Sequence, residues 1–261
     1  MPTSHLRIVA APQGAQEDDR PDAGTSQLAF PATLQRYEGG RLAYHKDSIA
    51  VEAPLRLQVE GVLDTTLSRT PGDDMNLVAG HLFSLNMIRG SEDLSNVTFN
   101  YRGRTRVSVV LKTTGAMRRL FPSPRPVRVR AERLFDFKET FERRQNLFKS
   151  TGSTHAAALF SASGEMIAFG EDVGRHNAFD KAIGRSLLEG TLDEVAIAML
   201  SSRLALELAV KAQAANIPIL CGFSAATSSG IDYAERNNLT LVGRLRNGSF
   251  YLYSNGWRIL S

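Results

Sequence analysis

The chain has 261 residues, is 43% hydrophobic and 22% charged, and carries a formal net charge of +4. That is enough apolar material for one large or two ordinary domains, and no run approaches the roughly 18 apolar residues of a membrane-spanning helix. A single cysteine excludes a disulfide framework and any multi-thiolate metal site, and fits a reducing cytoplasm.

Residues 1–30 are rich in Ala, Gln, Asp, Pro, Gly and Ser and lack the cationic start and apolar core of a signal peptide, so they read as a disordered tail. From Pro54 onward Leu55, Leu57 and Val59 alternate as a strand, with residues 63–67 returning as its hairpin partner. Pro71, Gly72 and Asp73 start a helix expected to reach Ile88, with an apolar stripe of Leu77, Val78, His81, Leu82, Leu85 and Ile88. His81 reads as a packed or solvent-edged helix residue rather than a ligand, because no second metal ligand stands near it in sequence. Residues 97–101 and 104–111 form the next strand pair, joined across Arg102 and Gly103.

Residues 102–130 hold nine Lys or Arg and no Asp or Glu, a one-sided run that attracts polyanions. No nucleic-acid-binding signature accompanies it, and a pyrophosphate-bearing cofactor, an acidic protein surface or plain solvation accounts for it equally well. Residues 134–148 read as one helix with Leu134, Phe137, Phe141 and Phe148 toward the core.

Chemistry-bearing residues concentrate in residues 151–184. His155 opens an apolar strand over 156–160, a turn follows at 161–165, and 166–169 return as the second strand. Glu171, Asp172, Gly174, Arg175 and His176 then lead into a helix expected to reach Leu188, whose apolar side is Ala178, Phe179, Ala182, Ile183 and Leu187. A helix start carrying Arg175 and His176, with Lys181 in its second turn, suits an anion such as phosphate. The alternative is that Asp172 merely caps the helix and Arg175 pairs with Glu171.

Strands at 195–200, 217–221 and 239–242 alternate with helices at 202–215 and 225–237, which implies an α/β/α layered domain on a mainly parallel sheet. Cys221 ends one of these strands and reads as a small packing residue, although strand ends are also where ligands bind. The hairpin Arg244, Leu245, Arg246, Asn247, Gly248, Ser249 places a strong Asn-Gly turn beside two arginines.

Several of these stretches resemble one family. THAAAL at 154–159, EDVGRHNAFDKAIG at 171–184, SSRLALELAVKA at 201–212, SAATS at 224–228 and LTLVGRLRNGSFYLY at 239–253 are similar to the formate dehydrogenase accessory proteins of the FdhD type. Those proteins are sulfur carriers for the molybdenum cofactor, and the similarity covers about residues 51–253. It implies a cytidine-deaminase-like α/β/α domain over 151–261 behind a smaller β-rich α+β part over 31–150, which holds the basic loop and the connecting helix. It also implies a bound bis-molybdopterin guanine dinucleotide, with a guanine nucleotide as mimic, near His155, Glu171, Asp172, Gly174, Arg175, His176, Lys181, Arg203 and the hairpin 244–249. A cysteine desulfurase and a molybdenum-dependent formate dehydrogenase are the partners it implies, and a homodimer is compatible with it.

The departures from the family are chemical. Its members carry a Cys-x-x-Cys pair in a loop that here reads KTTGAMRRLFPSPRP, residues 112–126, with no cysteine. A persulfide needs a thiolate to accept the sulfur, so that chemistry cannot run at this position. Arg244 stands where an aromatic is usual, Ser202 where a glycine is, and Ala226 where a proline is. The His-x-Glu and Pro-Cys-x-x-Cys of a zinc deaminase are both missing, so a shared fold brings neither zinc nor deamination. The competing expectations are a cofactor-binding chaperone that lost its thiols and a polyanion-binding protein.

Overall fold

The structure, a computed structural model, describes residues 7–10, 28–103, 105–112, 118–246 and 248–261. Residues 1–6 and 11–27 of the expected tail, Arg104, the middle of the basic loop and Asn247 lie outside them.

The first half is built mostly from strands. β1 (Arg7–Ala10) lies within the stretch expected to be a tail, β2 (Ala29–Glu38) and β3 (Arg41–Ala50) form a hairpin, and β4 (Ala53–Val59) and β5 (Leu63–Arg69) form another. α1 (Asp74–Ser84) follows, then β6 (Leu94–Asn100) and β7 (Arg106–Leu111). Together β1, β6, β7, β4 and β5 make a five-stranded sheet in that order. Leu55, Leu57 and Val59 alternate onto its buried face, as their spacing predicts, while Arg56 and Asp64 pair on its solvent face at 2.9 Å.

α1 ends earlier than its apolar stripe predicts. Asn86 adopts left-handed φ 61°, the Met87 N–H returns to the Leu82 carbonyl and the Asn86 N–H to the Phe83 carbonyl, a Schellman closure that leaves Leu85 exposed. His81 packs against the following half, with Nδ1 3.2 Å from the buried Asp180 carboxylate.

The second half begins with β8 (Val129–Arg130), α2 (Arg133–Arg144) and α3 (Asn146–Thr151). The single helix expected over 134–148 is broken at Gln145, because the Glu171 carboxylate accepts from the Leu147 and Phe148 amides at 3.2 and 2.7 Å and starts a new helix there. Phe148 consequently turns outward.

β9 (His155–Phe160) and β10 (Met166–Asp172) lead into α4 (Arg175–Leu188). Then come β11 (Ile197–Leu200), α5 (Leu206–Ala214), β12 (Ile219–Gly222), α6 (Ser228–Arg236), β13 (Thr240–Arg246), β14 (Ser249–Ser254) and β15 (Ile259–Leu260). The second sheet has the order β10-β9-β11-β12-β13-β14, with β11, β12 and β13 parallel and the outer strands antiparallel.

Alternation places Ala157, Leu159, Ala198, Leu200, Leu220 and Leu241 on one face of this sheet, in a core shared with α1, α4, α5 and the five-stranded sheet. Ala158, Phe160, Ile197, Met199, Ile219, Cys221 and Leu245 face the other way, onto Leu134, Phe137 and Phe141 of α2. The layers therefore run sheet, helices, sheet, helix, and the two halves of the chain share one core.

α1 and α4 touch backbone to backbone. A Cβ on Gly80 would lie 1.9 Å from the Asp180 carbonyl, and one on Gly184 1.9 Å from the Asn76 carbonyl. Arg258, wholly buried, donates to the carbonyls of Ser123, Arg125 and Asn238 and to the Thr240 hydroxyl, and β15 pairs with β8 beside it. No helix among the described residues is long and apolar enough to cross a membrane.

Candidate functional site

β9 runs opposite to β10 and β11, so its first residue meets the carboxyl ends of β10, β11, β12 and β13 at one edge of the six-stranded sheet. In α/β sheets this is the edge outside which ligands bind. α4, α5 and α6 all start there, each bringing the positive end of a helix dipole, and the Thr227 hydroxyl caps α6 by accepting from the Gly230 amide at 3.2 Å.

His155 stands at the centre of that edge. Its Nδ1 lies 3.3 Å from the Ser201 hydroxyl, which itself accepts from the Ala156 amide at 3.0 Å. Glu142, Gln145, Phe148, Ser153, Thr154, Ser201 and Phe223 close around it in a cleft of about 380 Å³. Burial lowers the His155 pKa, and the Arg175 charge adds to the effect. His176 is also lowered by burial, with Arg175 and Lys211 reinforcing the shift against Asp180 and Glu207. Both imidazoles are therefore neutral at neutral pH, and the fixed positive charge of the edge is that of its arginines.

Arg175, the first residue of α4, does not pair with Glu171. Its Nε is buried without a hydrogen-bond partner among the described residues. Arg203, in the loop after β11, is exposed and forms no hydrogen bond or ion pair through its side chain among the described residues. Arg244 takes left-handed φ 52° at a bulge in β13, its N–H reaches the Ser224 carbonyl at 3.0 Å, and its guanidinium lies 5.6 Å from the Tyr251 ring. That amide ties the hairpin to the loop after β12. Arg246, Gly248 and Ser249 are exposed at the hairpin tip, where the Ser249 hydroxyl donates to the Arg246 carbonyl.

The remaining candidates are engaged within the fold. Asp172, fully buried, is no helix cap; Gly174 occupies that position. Its carboxylate accepts from the amides of Thr70 and Gly174 and from Asn177 at 2.9 to 3.0 Å, and pairs with the Lys181 ammonium at 2.8 Å. Lys181 also donates to the Thr70 carbonyl, so its charge is spent in the core. Glu171 anchors α3 and accepts from the Thr154 hydroxyl at 3.0 Å, and Leu245 lies in the core. The basic run is partly internal too: Arg118 donates to the carbonyls of Phe83 and Ala214, and Arg125 to that of Val195.

Sequence reasoning passed over Ser201, Gln145 and Phe223, all of which line the His155 cleft. The signal for Ser201 was present as a polar Ser-Ser-Arg directly after an apolar strand. Gln145 and Phe223 give no local signal, since only the helix break and the strand order bring them there.

Residues 50–260 match the model of the FdhD/NarQ family. The chain belongs to that family. Among its relatives is a protein of Saccharolobus solfataricus named sulfur carrier protein FdhD, 38% identical over 247 residues, which span 87% of this chain and 96% of the relative. A protein of the same name from Nocardia farcinica is 36% identical over 83% of this chain and 89% of its own length. A crystal structure described as a formate dehydrogenase accessory protein of Desulfotalea psychrophila has the same fold, with TM-score 0.77 and 23% identity over 89% of this chain and all of the other.

The relatives are named as sulfur carriers, and sulfur carriage by this chain would fall to a single thiol. Cys221 is its only cysteine, fully buried in β12, and burial pushes its thiol up to about 12. At neutral pH such a thiol is almost entirely protonated and out of reach of a donor.

Proposed function

We propose that this chain is an accessory protein for a molybdenum-dependent formate dehydrogenase, and that it holds the guanine-dinucleotide part of bis-molybdopterin guanine dinucleotide at the carboxyl edge of the six-stranded sheet. The observation carrying this reading is the buried, unpartnered Nε of Arg175 at a helix N-terminus beside two neutral histidines. An unsatisfied guanidinium N–H costs about 1 to 3 kcal/mol or more, and an anion would recover it.

The residues present fit a phosphorylated ligand. Arg175, Arg203, Arg244 and Arg246 offer guanidinium forks to phosphates, three helix starts add backbone donors, and Phe148 and Phe223 supply apolar walls. When bound, the cofactor would supply the metal centre of the target enzyme, while this chain orients and shields it.

The same residues do not fit a persulfide carrier. With Cys221 buried and no second cysteine, a thiol that accepts sulfur from a cysteine desulfurase has to belong to a partner, and this chain then acts as a cofactor-binding chaperone. A general polyanion binder is less well supported, because Arg118 and Arg125 of the basic run are turned to internal carbonyls.

Guanosine diphosphate tests the reading. Millimolar ligand should raise the melting temperature by several degrees, and Arg175→Ala should remove most of the shift while keeping the fold. Absence of a shift in folded protein overturns the site, and an equal shift with inorganic pyrophosphate reduces it to an anion site without base recognition.

A further inference from the structure

The antiparallel pairing of β9 with β11 closes at Ala157 opposite Leu200, and Ser201 carries it one step further with two different groups. Its backbone N–H donates to the Ala156 carbonyl at 3.1 Å. Its hydroxyl oxygen, in the place of a strand carbonyl, accepts from the Ala156 amide at 3.0 Å. That amide pins the oxygen at the end of the sheet and leaves the hydroxyl proton to be placed. Among the described residues the one other hydrogen-bond partner of this hydroxyl is His155 Nδ1, 3.3 Å away. Ser202 cannot take over the contact, because its own hydroxyl donates to the Arg203 carbonyl at 3.1 Å.

One proton fits between Ser201 and Nδ1, and two groups could supply it. If Nδ1 carried it, the Ser201 oxygen would accept twice and its own proton would find no acceptor among the described residues. If the hydroxyl supplies it, the Ala156 amide, the hydroxyl and Nδ1 are satisfied in one chain, and the imidazole proton sits on Nε2. A hydroxyl that already accepts from an amide is polarised toward donating, which favours the second arrangement.

Nε2 has no hydrogen-bond partner among the described residues, and the ring lines the cleft of about 380 Å³. Ser153 also lines a second cleft, of about 570 Å³, that reaches Gly174 at the start of α4. We infer that Ser201 is a positioning residue that holds His155 with its proton on Nε2, so that the edge presents a neutral, directional donor to a phosphoryl oxygen of the ligand. The identity of the acceptor rests on the phosphate-binding reading of this edge; the placement of the proton rests on geometry alone. Guanidinium groups supply charge to an anion, whereas a neutral N–H supplies direction. The same tautomer turns a proton rather than a lone pair toward any cation, so it selects against metal ions and ammonium groups at this point.

Nitrogen-15 NMR of the histidine rings in the unaltered, ligand-free chain tests the tautomer, with His155→Ala assigning the signals. At about pH 7.5 His155 should show a protonated Nε2 and a bare, hydrogen-bonded Nδ1. Ser201→Ala should leave the ring exchanging between both neutral tautomers, and Ser201→Thr, which keeps the hydroxyl, should restore the single one. Calorimetry with inorganic pyrophosphate as the probe should show about fivefold weaker binding for Ser201→Ala, the weight of one neutral hydrogen bond, and near-parental binding for Ser201→Thr. In a His155→Ala background, Ser201→Ala should cost nothing further, a result that a merely structural role for Ser201 does not give. A proton on Nδ1 in the parent overturns the inference, and that measurement needs no variant to fold. An unchanged tautomer in Ser201→Ala, or additive losses in the double variant, overturns it as well. A parent with its proton on Nε2 that binds neither pyrophosphate nor guanosine diphosphate overturns the phosphate-binding reading and the acceptor with it, while supporting the hold of Ser201 on the ring.

Discussion

The Lys181 ammonium sits 2.8 Å from Asp172 with both side chains almost fully buried, and the two neutralise each other far from solvent. Lys181→Met should therefore cost about 3 to 5 kcal/mol in denaturant unfolding by stranding the carboxylate, while any bound nucleotide loses little. A stable variant that no longer binds would mean that Lys181 serves the ligand instead. From the sequence, Lys181 and Arg175 look alike, two cations near one helix start; only Thr70, brought over from the other half of the chain, assigns the lysine to the core. The two histidines give a pH test. Both pKa values are lower in the folded chain than their ordinary value of 6.5, so below about that pH the unfolded chain binds more protons and stability falls. The melting temperature should drop between pH 7.5 and 5.5, and drop less in a His155→Gln, His176→Gln variant. Parallel curves would locate the acid sensitivity elsewhere.

α1 and α4 cross where Gly80 meets Asp180 and Gly184 meets Asn76. Neither contact leaves room for a methyl group, and both neighbours are backbone, which cannot rotate away. Gly184→Ala should cost more than about 3 kcal/mol, beyond the usual overpacking range, and depress the thermal midpoint sharply; a loss below about 1 kcal/mol would mean that the helices slide apart easily. Elements were legible where period and chemistry agreed, as in β4, β9 and α4. Their ends were less so, although the sequence marks them. α1, α5 and α6 each stop at an asparagine in left-handed conformation, Asn86, Asn216 and Asn238, followed by an amide that reaches back to Leu82, Ala212 or Ala234. Apolar periodicity ran past α1's asparagine because Ile88 is buried for a different reason, on the chain's way into β6. The break between α2 and α3 was invisible, since its cause, Glu171, lies 24 residues from Leu147.

Across the whole molecule, alternating strands and helices predict the layered second half, but nothing local predicts that α1 of the first half shares its core. That sharing explains why the candidate edge is held from both sides, with Ser68 and Thr70 bonded to Asn177, Val173 and Lys181. At the opposite end of the sheet a still longer tie is made by Arg258, whose guanidinium reaches the Ser123 carbonyl 135 positions earlier in the chain. Its carbonyl acceptors converge only once the segments at 123–125 and 238–240 lie side by side, and closing so long a loop has to come before any of the stabilisation it brings. Loop-closure entropy thus puts time into the fold: a tie this long is expected to form late in folding and to release early in unfolding.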